Sequence, residues 1–268
     1  MYRAAFAFGQ VTALLTVLLF GLPMPSEAEV FWTDDFENLL TPNWDTSACG
    51  VPAPPAGCNG FISTDIARSG TRSLQSHYPD INVQAGTFYD RRHTATDQIW
   101  VRFYYFTQNF LFYPLAATKH LISVPTGPGG SQLYLENLFG SREIAFNATT
   151  HPAIPCPNGT SDESCNYYPN IASVPLADNK WYCIEYHAIA NTPGQANATL
   201  EIFIDGVQTL GYYNRVIRQT SDSWFILRHY TQYGQGNRYI DDLAVGNTRI
   251  GCSGSPTPPT VPTGVTLR

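Results

Sequence analysis

The stretch from Ser223 to Gly246, SWFILRHYTQYGQGNRYIDDLAVG, constrains the fold more than any other part of the chain. Trp224 to Tyr230 alternates with a period of two. It places Trp224, Ile226, Arg228 and Tyr230 on one face of a strand and Phe225, Leu227 and His229 on the other. A polar segment with two glycines, Gln232 to Asn237, follows, and the alternation resumes from Arg238 to Val245. The pattern predicts a β-hairpin whose strands carry Arg, His and Tyr where core residues are expected.

The same period recurs along the chain. Ile99 to Thr107 (IWVRFYYFT) sets Trp100, Arg102, Tyr104 and Phe106 on one face, and Lys119 to Val124 and Gln132 to Leu138 continue at meander spacing. Val30 to Glu37 reads as a short strand entering an acidic turn, and Gly70 marks a turn before a strand that begins near Ser73. Trp181 to Ala188 and Ala198 to Asp205 read as two strands joined by NTPGQAN, with Asp205-Gly206 as the next turn. Asn147 to Asn170, with four prolines and two cysteines, reads as a long surface loop. No helical period of any length is present. Aromatic residues are as frequent as charged ones, 13% each, which suits extended sheets better than a helical bundle. The fold class that follows is all-β, a two-sheet antiparallel sandwich of jelly-roll type.

Residues 1–28 have the form of an export signal: Arg3, an apolar run from Ala4 to Leu22, and Ser26-Glu27-Ala28 as a small-x-small cleavage site. An uncleaved amino-terminal anchor is the alternative, which the interruption at Gly9-Gln10 disfavours. Residues 29–252 then form one domain, and 253–268 are a Pro/Thr-rich linker or tail. The expected location is secreted, periplasmic or extracellular, with no membrane contact after cleavage. Six cysteines in an exported chain predict disulfides. Cys49–Cys58 and Cys156–Cys165 bracket short loops, which leaves Cys183–Cys252 to close a long one, a stabilisation of roughly 4 kcal/mol in the chain-entropy picture.

The net charge of −6 and the lack of a basic run argue against a nucleic-acid partner. The cations and phenols instead lie on the strands: Arg102, Lys119, His120, His187, Arg228 and Tyr230 among them. A dry core excludes Lys and Arg, so such strands are expected to line a wet groove that takes a polysaccharide with carboxylates, held by arginine and stacked on aromatic rings. Snorkelling residues on a two-sided sheet are the alternative.

FWTDDFE near the amino terminus, SGTRSLQ, IWVRFYYF, KWYCIEYHA with LEIFIDGV, and RYIDDLAVG together resemble the concanavalin A-like jelly-roll superfamily over residues 30 to 251. That superfamily includes lectins, glucanases and polysaccharide lyases. The resemblance implies sugar binding, glycoside hydrolysis or β-elimination, and the strand cations favour lyase-like β-elimination on a uronate polymer. A non-catalytic carbohydrate-binding or adhesion module is the alternative. Jelly-roll lyases pair His with Tyr, which implies Tyr230 with His187 or His120 as catalytic groups and Arg228 or Arg102 as carboxylate neutraliser, with Lys119 nearby. Arg102, Tyr104, Lys119, Glu136 and Glu185 are the expected substrate contacts. Glu136 and Glu185 are also the carboxylates available to a hydrolase, although the Glu-x-Asp-x-x-Glu arrangement of jelly-roll glucanases is absent. In this superfamily the first and last strands often lie side by side, so Asp35, Glu37 and Asp241 are expected to hold a structural Ca²⁺. No organic cofactor is expected, and the protein is expected to act as a monomer.

Overall fold

The computed structural model describes residues 29–38, 44–46, 60–80, 87–115, 117–127, 130, 132–137, 140–149, 164–167 and 174–252. Among these there is no helix. The expected export signal, the tail, and the Cys49–Cys58 and Cys156–Cys165 bridges lie outside the described residues.

Two sheets pack face to face. The larger has eight strands, in the order β13 (Val207–Arg215), β12 (Ala198–Ile204), β11 (Tyr182–Ile189), β6 (Gln98–Leu111), β15 (Gln235–Gly246), β4 (Ser73–Tyr78) and β3 (Gly60–Ser63), with β1 (Val30–Asp34) also pairing β15. The smaller has seven, in the order β10 (Ser164–Tyr167), β9 (Ile144–Thr149), β8 (Gln132–Asn137), β7 (Thr118–Pro125), β14 (Trp224–Gln232), β5 (Thr87–Thr96) and β2 (Asp45–Thr46). The pairs are antiparallel, so each strand presents alternate residues inward. Val101, Phe103 and Tyr105 of β6 and Ile184 and Tyr186 of β11 meet Leu121, Leu133, Leu135, Phe146 and Leu227 from the smaller sheet in one core. Truncating one of these, for example Phe103→Ala, costs about 3–5 kcal/mol.

The Asp205-Gly206 turn closes the β12–β13 hairpin with φ of 51° and 84°, the left-handed pair such a tight turn requires. The first strand lies beside the last, Trp32 opposite Val245 and Asp34 opposite Leu243. Cys183 and Cys252 are bonded, which ties the end of the domain to β11.

Two expectations are corrected. Ser223–Gly246 is not a hairpin: β14 pairs with β7 and β5, β15 with β6, β4 and β1, and the chain between them crosses from one sheet to the other. Tyr233 and Gly234 turn the corner at φ of 57° and 136°, and a Cβ at Gly236 would collide with the Asn109 carbonyl of β6. The loop read over 147–170 is in part sheet, since β10 adds to the edge of β9.

Candidate active site

The crossing decides which side chains can meet. On the outer face of the smaller sheet, β14 presents Arg228 and Tyr230 and β8 presents Tyr134 and Glu136, because their neighbours Leu227, Leu133 and Leu135 turn into the core; β7 adds Lys119, which a register shift before the inward Leu121 sets opposite Glu136. Lys119 Nζ stands 4.6 Å from the Tyr134 ring centroid and 5.8 Å from that of Tyr230. Arg228 donates to Asp90 of β5 through Nε and Nη2, at 2.7 and 2.8 Å. Tyr134 donates to Gln132 Oε1 at 2.6 Å.

The electrostatics of this face follow from partial burial. Burial pushes the Glu136 carboxyl up to about 7, against the pull of the Lys119 ammonium. Asn147 lies beside Glu136 on β9, and neither carboxylate oxygen of Glu136 has a hydrogen bond of good geometry. Burial likewise lowers Lys119 and raises Tyr230, the latter helped by the neighbouring phenols of Tyr134 and Tyr233. Tyr230 is therefore a protonated phenol at neutral pH.

Beneath the face lies a polar cluster between the sheets. Arg238 of β15, fully buried, points inward and donates through Nη1 to Lys119 O (3.0 Å) and His120 Nδ1, and through Nη2 to His229 Nε2 (3.0 Å), Tyr230 O (3.1 Å) and Ser76 Oγ (3.1 Å). An arginine only donates, so His120 must carry its proton on Nε2, which meets Asn137 Oδ1, and His229 must carry its own on Nδ1. Burial first, and then the Arg238 charge, hold both imidazoles well below the usual histidine value.

The remaining expected site residues are elsewhere. His187 projects from the outer face of the larger sheet, stacked on Trp100 at 4.0 Å and hydrogen-bonded through Nδ1 to Glu201 at 2.7 Å. The whole core separates it from Tyr230. His120 points into that core, fully buried. Neither histidine can share a face with Arg228 and Tyr230, and their assignment as partners of Tyr230 is corrected. Arg102, Tyr104 and Glu185 also belong to the larger sheet's outer face. Tyr104 lies under the Arg68 guanidinium at 3.5 Å, and Glu185, fully buried, accepts from Arg249 Nε, Ile250 N and Gly251 N. None of these three lies on the face that carries Arg228 and Tyr230.

The acidic residues serve a turn. Glu37 accepts from Thr71 N, Thr71 Oγ1 and Arg72 N; Asp241 accepts from Arg68 N, Ser69 N and Asp242 N. Asp35 accepts from Glu37 N and lines a depression of about 260 Å³ together with Asp34, Asp242 and the Arg102 side chain. A hard cation takes six to eight oxygens with open lone pairs, whereas these carboxylates face N–H and O–H donors. Among the described residues no group of three or more His, Cys, Asp or Glu side chains is placed to hold a metal, so Asp35, Glu37 and Asp241 do not fit Ca²⁺.

No family model matches the chain, and no curated protein matches it. Solved structures do. The cellulose-induced protein Cip1 superposes with a TM-score of 0.56 at 21% identity, covering 83% of this chain and 100% of that one. An endo-β-1,4-glucuronan lyase from the fungus Trichoderma reesei gives 0.55 at 16%, covering 82% and 96%. The alginate lyase vAL-1 from a Chlorella virus gives 0.63 at 12%, covering 82% and 100%. These likenesses agree with the fold described above, a two-sheet antiparallel jelly roll. At these identities the likeness establishes architecture and leaves chemistry to the residues.

Proposed function

We propose that this protein binds an anionic, uronate-containing polysaccharide on the outer face of its smaller sheet and cleaves it by β-elimination. The observation that carries this reading is the Lys119 ammonium set between the rings of Tyr134 and Tyr230, with Arg228 on the same face. Elimination from a uronate needs a cation at the carboxylate, a base for the C5 proton and an acid for the leaving oxygen. Lys119 and Arg228 supply the first. Tyr134, held beside the Lys119 ammonium, is the base that takes the C5 proton. The electron pair forms the C4–C5 double bond as the C4–O bond breaks, and the Tyr230 phenol delivers its proton to that oxygen. The lyases among the structural neighbours support the reading, as does the Cys183–Cys252 disulfide, which suits a substrate met outside the cell.

A second reading, a carbohydrate-binding module without turnover, is favoured by the carboxylates that already accompany both cations, Asp90 on Arg228 and Glu136 beside Lys119. One experiment separates the two. The protein is incubated with alginate, polyglucuronate and pectate, and product is followed by the ultraviolet absorbance of unsaturated ends. Elimination is expected from the parent and its loss from Tyr230→Phe; polymer binding with no product would establish the second reading.

A further inference from the structure

We propose that Arg238 is a positioning residue for the groove: carried on the opposite sheet, it fixes the spacing of Lys119 and Tyr230 by holding both of their main-chain carbonyls. The inference rests on the reading that these two side chains act on the substrate. Its ground is an irregularity in the ladder. β14 and β7 are in register at His229 opposite Leu121, and next at Gln232 opposite Lys119, so the two strands slip by a residue between those points. β7 and β8 slip in the same place, between Lys119 and Leu121, which makes His120 the extra residue of a bulge. Lys119 and Tyr230 both lie in the irregular stretch, where a regular ladder does not set their separation.

The Arg238 guanidinium occupies that gap. Its two terminal nitrogens reach Lys119 O at 3.0 Å and Tyr230 O at 3.1 Å, and the same plane contacts His120, the bulged residue, and His229, the inward neighbour of Tyr230. A flat, forked donor serves two carbonyls from two strands at a fixed separation; an ammonium is a compact charge with rotatable donors and does not impose that spacing. The arrangement is costly in itself. Arg238 is fully buried, and its partners among the described residues are carbonyls, imidazoles and a hydroxyl, with no carboxylate. Two other polar groups near it, Tyr78 OH and Tyr105 OH, are buried without hydrogen-bond partners among the described residues. A core built for stability alone would be apolar here. A cation that pins two strands from behind leaves their outward side chains at a fixed separation.

Arg238→Met strips the donor from five acceptors and is expected to unfold the domain, so Arg238→Lys in the whole chain is the informative variant. It is expected to fold, to show faster amide hydrogen exchange confined to residues 118–122 and 229–233, and to lose roughly ten- to a hundredfold in kcat with little change in KM. The pH profile of kcat should keep its position, because the effect is on spacing. Unchanged exchange in those two segments, an unchanged kcat, or a displaced pH profile would each overturn the proposal. Should the parent show no elimination on any polymer, the chemistry fails, and the exchange pattern alone then decides whether Arg238 holds the two strands.

Discussion

Arg228 and Asp90 face each other across adjacent strands in a two-pronged ion pair, Nε to Oδ1 at 2.7 Å and Nη2 to Oδ2 at 2.8 Å. The pair holds the guanidinium at two points and raises the arginine further above its usual value. On the proposed function, an incoming uronate carboxylate would share or displace Asp90. Burial disfavours the charge of Lys119, the other cation of this face, and the neighbouring Glu136 opposes that shift.

Asp90→Asn is therefore expected to tighten binding of a uronate oligosaccharide severalfold and to steepen its dependence on salt, since one negative charge leaves the face. Both partners are about a quarter exposed, so stability should fall by less than about 1 kcal/mol. Titration calorimetry at two salt concentrations measures the effect; weaker binding in the variant would show that Asp90 orients Arg228 and does not compete for it.

His187→Ala is expected to leave elimination unchanged, because the core separates it from Tyr230. It should instead cost about 1–3 kcal/mol of stability through the lost Trp100 stack and the lost bond to Glu201. A thermal melt beside a rate measurement tests both halves. A rate that collapses while the melt holds would return His187 to the chemistry.

Glu136 makes stability depend on pH in a defined direction. The native carboxyl keeps its proton up to about 7, while the unfolded chain releases it near 4.5. Between those values the folded state binds the extra proton, so stability falls as pH rises through the window and the loss is complete above it. Glu136→Gln does not titrate. Its melting temperature relative to the parent should climb between about pH 5 and about pH 8, each tenfold difference in proton affinity between folded and unfolded chain being worth about 1.4 kcal/mol. A difference that stays flat across that range would mean Glu136 is ionised in the folded protein throughout.

How much of this was written in the sequence depends on the distance over which each property is set. Alternation is local, so β6, β7, β8, β11, β12 and β14 are legible in it, and so is the face that Arg228 and Tyr230 share. Partnership is not local. Nothing in SWFILRHYTQYGQGNRYIDDLAVG states that β14 and β15 enter different sheets, and without that fact His187 and Tyr230 look like neighbours. Bulges defeat parity in the same way: Asp242, at φ 47°, sits where β15 slips against β6, and the inward set changes from Arg238 and Ile240 to Leu243 and Val245. Two residues were within reach. Tyr134 shares parity with Glu136, and Arg238 shares parity with the apolar Ile240, which already aims it at the core.

The anchoring of the domain's end has one more consequence. Cys252 is bonded to Cys183, and Ile250 and Gly251 are held by Glu185, all on the outer side of the larger sheet. The molecule thus has a back and a front. The anchored end and the side chains of Lys119, Arg228 and Tyr230 therefore lie on opposite faces of the sandwich, so a label or tether attached at Cys252 would leave the Lys119 face uncovered.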